Sequence, residues 1–451
     1  MDALWNLFSF IIALGILVTI HEYGHFWVAR KLGVKVLTFS VGFGKPLLQK
    51  VGKDGVRYVL AAIPLGGYVK MLDERDPDQE ILEEDKPFAF NQKSVWARMA
   101  IVLAGPIANF LLAIFLYWCI FMMGTDGLKP VVGNVPESSI AFNAGLLQDD
   151  LIVAVDGEAI VTTQDLVEGL AKRLGDKGRL ILNVKRKGSS QNKNIYLDLQ
   201  TWQVDDEKPE ILHSLGIYHP RENISTEVAS LSEGKAAMNA GIEVGDMITM
   251  IDGQSVDKWI EMVVIIRSMP GKSTTLQVDR NGELMAISVV IGSQEDEGET
   301  VGLLGVGPVP FDRALYIVTQ ESGIFGSFVL ACETAYKKIV LTTQLFKKLV
   351  VGDISHKGIS GPLSIAQGAG ASASYGLVAF LSFLAIISVN LGFINLLPVP
   401  MLDGGHLLYF VIEAIKGKPL PEKVQEFGLQ VGMMLVFALM AIAIFNDISR
   451  F

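Results

Sequence analysis

The sequence predicts a polytopic α-helical membrane protein: four spanning helices, a short β-hairpin and an inserted pair of small α+β modules. Three observations lead there. Apolar residues make up 50% of the 451 residues and mean hydropathy is +0.40, yet they gather in runs instead of spreading evenly. Four of those runs are long enough, at about 1.5 Å per helical residue, to cross a hydrocarbon layer of about 30 Å. Between the second and third runs lies a long polar stretch in which one phrase occurs twice. A formal net charge of −10 argues against a nucleic-acid partner, because phosphate binding needs concentrated Lys and Arg. The two cysteines, Cys119 and Cys332, sit in distant apolar segments and suggest neither a disulfide framework nor a thiolate metal site.

The first run, about Leu4 to Ala29, defines a first helix over residues 1–30. No Lys or Arg precedes it and no small-residue cleavage pattern follows, so it reads as a retained span and not a signal peptide. A polar segment follows over 31–98, then a second span over 99–123. The third covers about Leu377 to Leu397 and leads into a motif ending at residue 406; the fourth runs from about Leu429 to Phe445, within 429–447. A weaker candidate, Ile324 to Phe346, contains Glu333, Lys337 and Lys338. Charges there would be costly in lipid, so 311–376 reads as amphipathic surface helices. Arg30, Lys31, Lys35, Lys45, Lys50, Lys53 and Arg57 follow the first span, and Lys93 and Arg98 open the second. The positive-inside rule places 30–98 in the cytoplasm, the N-terminus and the long segment after the second span outside, and Lys416, Lys418 and Lys423 inside again.

In the external segment Asn143-Ala144-Gly145 recurs as Asn239-Ala240-Gly241, Asp150 as Asp246, and Asp156-Gly157 as Asp252-Gly253, all in one register. Helical stretches and strand-like alternation, around Leu180 to Val184 and Leu276 to Val278, follow each Asp-Gly. Each copy closes on a similar phrase, Leu215-Gly216-Ile217 and Leu304-Gly305-Val306. Two modules in tandem follow, over 127–221 and 222–310, and their pattern resembles a bacterial PDZ domain.

His21-Glu22-Tyr23-Gly24-His25 is an H-E-x-x-H motif at the end of the first run. A spacing of four puts both imidazoles on one helical face, where they can chelate one zinc ion; Glu22 stands beside them, suited to act as general base on water. At about 1.5 Å per residue His21 lies roughly 25 Å along the helix from Leu4, in the cytoplasmic half of the bilayer. Ionisable residues there are expensive and usually functional.

Catalytic zinc ordinarily takes three protein ligands, so a third is needed on the same side. The end of the third span offers one in Asn395-Leu396-Leu397-Pro398-Val399-Pro400-Met401-Leu402-Asp403-Gly404-Gly405-His406. Taken alone Asp403 is more readily a turn residue, but with four spans it falls at the same membrane face as His21. A fifth span at Ile324 would separate them. The pairing of H-E-x-x-H with N-x-x-P-x-x-x-x-D-G resembles the site-2 protease family of intramembrane metalloproteases over nearly the whole chain. That resemblance implies zinc bound by His21, His25 and Asp403, with Glu22 as catalytic base.

It also implies a substrate-binding element. Residues 56–69 look like the family's membrane-re-entrant β-loop, which brings in Tyr58, Val59, Leu60, Gly66, Gly67 and Tyr68. Read from the residues alone, the segment is too short to span and fits either a hairpin with a Pro-Leu-Gly-Gly turn dipping into the protein interior or an ordinary cytoplasmic hairpin. Asn390 and Asn395 can each hydrogen-bond between helices; the resemblance makes Asn395 a contact to substrate backbone. His406 reads as a structural or supporting residue. The implied substrate is a single-span membrane protein, of the anti-sigma-factor or signal-peptide kind, cut at the inner membrane of a bacterium. The periplasmic PDZ pair then either binds a new C-terminus or filters out bulky ectodomains, and a steric filter is preferred. Two rival readings remain. A membrane-anchored PDZ scaffold has no use for Glu22, and a transporter would show inverted repeats and paired broken helices.

Overall fold

The computed structural model describes residues 2–76, 81–189, 191–205, 210–220, 224–296, 299–310, 313–320 and 322–449. The chain divides into two units, Met1–Thr125 with Gln320–Phe451, and Asp126–Thr319. The first opens with helix α1 (Asp2–Lys31), whose apolar run ends on Arg30 and Lys31. Strands β1 (Val36–Val51) and β2 (Arg57–Met71) follow. Helix α2 (Val95–Met122) starts where Ser94 Oγ accepts the N–H of Ala97, a side-chain cap that satisfies one free helix donor.

The hairpin is doubled on itself. Thr38–Val41 pairs with Gly67–Lys70 on one side and with Arg57–Leu60 on the other, and Leu48–Val51 in turn flanks Arg57–Leu60. Both strands bend at their far end, where Phe43 meets Ile63 and Gly42 (φ +92°) and Gly66 (φ +138°) take up conformations that favour glycine. The Pro-Leu-Gly-Gly stretch is thus where β2 folds back. Gly67–Met71 is left as an edge.

The second unit begins with β3 (Thr125–Leu128) and holds two modules of one build. The first comprises α3 (Ile140–Asn143), β4 (Leu151–Val155), β5 (Glu158–Ala159), α4 (Thr163–Ala171), β6 (Arg179–Lys185), β7 (Asn192–Asp198) and α5 (Ile211–Leu215). The second comprises β8 (Val228–Leu231), α6 (Ala236–Asn239), β9 (Met247–Ile251), β10 (Gln254–Ser255), α7 (Trp259–Arg267), β11 (Ser273–Arg280) and β12 (Glu283–Val290). It then adds a hairpin, β13 (Gly292–Asp296) and β14 (Glu299–Leu303), before β15 (Val306–Pro308). Strand β16 (Ile317–Gln320) returns to pair with β3. The sheet orders correspond, β5-β4-β6-β7 and β10-β9-β11-β12.

The repeated phrases mark equivalent turns. Asp156 and Asp252 both have φ near +48°, and each side chain offsets that strain by accepting a strand N–H, from Ile181 and from Thr275. The boundary expected between the modules, at residues 221 and 222, lies outside the described residues, as does residue 311.

The helical unit resumes with α8 (Ile324–Val351), α9 (Pro362–Tyr375), α10 (Leu377–Asn395), α11 (Asp403–Lys416) and α12 (Glu422–Ser449). Among the described residues, α1, α2, α10 and α12 are the helices long and apolar enough to cross a membrane. Small residues let them approach closely, as is usual where lipid removes any hydrophobic drive between helices. A Cβ on Gly24 would lie 2.3 Å from Ala104 O of α2, and one on Gly392 would lie 3.1 Å from Pro106 O. Helix α8 packs through buried Ser327, Ala331 and Ala335. The other end of the unit is tied by Asp447 of α12, whose oxygens accept the N–H groups of Gly361, Leu363 and Ser364 at the start of α9.

Candidate functional site

His21, Glu22 and His25 stand in the second half of α1, each less than a tenth exposed. The close α1–α2 contact at Gly24 brings both imidazoles against α2, where they meet three residues spaced one turn apart. His25 Nδ1 lies 2.8 Å from Ile101 O. A carbonyl only accepts, so Nδ1 carries the proton and Nε2 presents a lone pair. Gly105 makes room for the rings, since a Cβ there would lie 2.3 Å from His25 Nε2 and 2.8 Å from His21 Cε1. Asn109, fully buried, places its amide 3.1 Å from His21 Nδ1.

Asp403 arrives from the other side, at the first residue of α11. The prolines at 398 and 400 end α10, and two glycines make the tight return possible. A Cβ on Gly404 would lie 2.3 Å from Leu396 O and Leu397 O, and one on Gly405 2.3 Å from Val399 O. Asp403 Oδ2 lies 3.2 Å from His21 Nε2 and 3.4 Å from His25 Nε2, and the two Nε2 atoms are 3.2 Å apart. Ligand atoms about 2.0–2.1 Å from a tetrahedral zinc ion are separated by about 3.3 Å. The three donors therefore fit the corners of one such site. Asp403 Oδ2 is buried and accepts no hydrogen bond of good geometry, as expected of a lone pair aimed at a common point with the imidazoles.

Glu22 makes no hydrogen bond to any described residue and faces a cavity of about 520 Å³, which also reaches Gly67, Tyr68, Asp403 and His406. The edge strand Gly67–Met71 forms one wall. Gly67 abuts Glu22: a Cβ on it would lie 2.9 Å from Glu22 Cγ and 2.6 Å from Ser40 O.

Of the residues expected at the site, His21, Glu22, His25 and Asp403 come together, and Asn395 extends its amide to 3.5 Å from His21 Nε2. Asn390 takes the structural option, accepting from Thr342 Oγ1 of α8 at 3.0 Å. Gly67 and Tyr68 line the cavity, whereas Gly66 sits in the turn against the Phe43 ring. Tyr58, Val59 and Leu60 need correcting. They form an interior strand with neighbours on both sides and do not line the cavity, so their backbone has no free edge to offer. Sequence reasoning missed Ile101, Gly105 and Asn109; an amide in the middle of an apolar span was the signal that could have found the last.

The model of peptidase family M50 matches residues 9–439. The chain is 43% identical over 449 residues to the regulator of sigma-E protease RseP of Escherichia coli K12, covering 99% of each. It is 42% identical over 452 residues to the protein of the same name in Salmonella typhimurium, covering all of both. A Vibrio cholerae protein provisionally described as a zinc metalloprotease is 45% identical over 451 residues, 100% of this chain and 99% of its own. A solved PDZ domain of an SdrC-like protein from Listeria innocua matches 19% of this chain and 96% of its own length, at 28% identity and a TM-score of 0.17.

Proposed function

Because this chain belongs to peptidase family M50 and is a zinc metalloprotease, we propose that His21, His25 and Asp403 hold the zinc ion and that Glu22 is the general base. The observation that carries this reading is the 3.2–3.4 Å triangle of donor atoms, with an unpaired carboxylate and a strand edge facing the same cavity. When bound, zinc would polarise the scissile carbonyl and lower the pKa of water. The chain's own residues supply the rest. Glu22 takes the proton of the attacking water and returns it to the leaving amine. Gly67–Met71 pairs with the unwound substrate segment, satisfying N–H and C=O groups that a helix would otherwise keep internal. Asn395, next to His21, is placed to hydrogen-bond the substrate backbone.

The substrate is a transmembrane segment of a single-span membrane protein. The relatives' names point to control of sigma E, so an anti-sigma-factor-like protein is the substrate of choice, with remnant signal peptides as further candidates. By the positive-inside rule, the basic residues after α1 support an active-site end toward the cytoplasm in a bacterial inner membrane, with the second unit periplasmic. The two modules are PDZ domains, a reading supported by their matching sheet orders and by the Leu-Gly-Ile and Leu-Gly-Val phrases that close them. They act as a size filter against uncut ectodomains; capture of a new C-terminus is the other use of such domains.

Purified protein should hold about one zinc per chain and cut a single-span substrate in detergent, with the products read by mass spectrometry. Asp403→Ala should lose both the metal and the cleavage. Cleavage surviving in that variant would overturn the assignment.

A further inference from the structure

The two imidazoles are held differently from behind. His25 has a fixed partner, the carbonyl of Ile101, which leaves one tautomer possible. His21 faces an amide, which can present either end. As placed, Asn109 Nδ2 lies 3.1 Å from His21 Nδ1, and Asn109 Oδ1 is buried without a hydrogen-bond partner. The two ends of an amide are alike in shape, so this contact can be made by Nδ2 or by Oδ1. His21 Nε2 is the atom that faces Asp403 Oδ2 and His25 Nε2. A metal ion on Nε2 moves the proton to Nδ1, which must then donate, and Asn109 is the side chain within reach.

We infer that Asn109 is the positioning residue for His21: with a metal ion on Nε2, Asn109 Oδ1 accepts from Nδ1–H and fixes the ligand tautomer. The residue is suited to this. It is fully buried, so no bulk water substitutes for it. Its main chain is anchored independently, with Ser388 Oγ of α10 donating to Asn109 O at 2.7 Å. It also stands one turn beyond Gly105 and two beyond Ile101, so a single face of α2 sets the spacing, room and proton positions of both imidazoles. An amide can satisfy Nδ1 in either protonation state, whereas the carbonyl of Ile101 serves only one. This inference rests on the zinc reading above and adds a residue to it.

The test is metal affinity in the full-length chain in detergent, measured by competition with a chromogenic zinc chelator and by the visible spectrum of the cobalt(II)-substituted protein. Asn109→Leu, which removes the acceptor and keeps the bulk, should weaken zinc binding about 10- to 100-fold and alter the cobalt bands. Asn109→Asp, which can only accept, should bind within a few-fold of wild type or tighter. Wild-type affinity and spectrum in Asn109→Leu would overturn the inference, and so would equal weakening in Asn109→Asp and Asn109→Leu. A wild-type chain that binds no metal would instead overturn the zinc reading itself.

Discussion

Buried carboxylates in the two units are treated in opposite ways. In the second unit Asp150 and Asp246 are each about 1% exposed, and their oxygens are taken up. Asp246 accepts from Arg280 and from the N–H of Glu243, and Asp150 from Arg186 and the N–H of Leu147. In the helical unit Asp403 Oδ2 is buried and accepts no hydrogen bond of good geometry, and Glu22, with no hydrogen bond to any described residue, faces the cavity. A buried carboxylate left unpaired is destabilising by several kcal/mol, roughly, so the first pattern is what folding favours. The second persists where a metal, a water or a substrate completes the set. Burial of a charge therefore does not by itself mark a site; the state of its oxygens does.

The contrast breaks most sharply at Glu22. Glu22→Gln should reduce cleavage by about 10²- to 10⁴-fold while zinc content and thermal unfolding stay at wild-type values, because the removed charge supports chemistry and no fold contact. Substantial residual turnover would mean that the unpaired carboxylate is not the base. Gly67→Val comes next. The added side chain pushes the strand edge away from Glu22 and Ser40, and displacement of about 1 Å in a reacting geometry costs roughly 10²-fold. Metal content should be unchanged; loss of zinc in this variant would show that the edge strand supports the ligands instead of the substrate.

In the second unit the same kind of substitution should act on stability alone. Asp246→Ala removes hydrogen bonds to a charged group, and amide exchange over residues 224–310 of the full chain should speed up roughly 10- to 100-fold. Arg280 beside Asp246 holds its carboxyl below the ordinary carboxylate range. A group lowered on folding stabilises above its unfolded value, near 4, and that stability is lost as pH falls through the folded value. Acid below about pH 4 should therefore loosen this module, and Asp246→Ala should flatten the dependence. An unchanged acid profile in the variant would remove Asp246 from the account.

What was legible in the sequence follows the range of the interactions. The H-E-x-x-H pair was readable because helical spacing alone puts both rings on one face. Asp403 was readable because span counting fixes which membrane face a residue reaches. The repeat was readable wherever the copies keep one register, as at Asp150 and Asp246. Arg186 and Arg280 do equivalent work, reaching back to those aspartates and to the carbonyls of Gly145 and Gly241, yet they fall out of that register and went unread. The doubled hairpin was hidden for a related reason. Its alternation is poor, so nothing in the residues told that Arg57–Leu60 lies inside and Gly67–Met71 at the edge. The face of α2 carrying Ile101, Gly105 and Asn109 depends on which helix stands behind α1, and periodicity in a uniformly apolar span does not encode that.

The sharpest control on the comparison lies within the helical unit itself. Asp447 is fully buried in α12, but it is satisfied like Asp246. Its oxygens accept from the N–H groups of Gly361, Leu363 and Ser364 and cap α9, while neighbouring Asn446 donates to His356 O and Ile359 O. If membership of the unit decided the role, Asp447 would matter for cleavage; if the state of the oxygens decides it, Asp447 is structural. Asp447→Asn keeps one acceptor and loses the charge at the helix start, at a cost of about 1 kcal/mol. Thermal unfolding in detergent should shift down by a few degrees, by roughly the amount such a loss produces, with zinc per folded chain and the cleavage rate of the folded fraction unaltered. A variant that keeps its melting temperature and loses activity would erase the distinction, because a carboxylate with every oxygen paired would then be serving the chemistry.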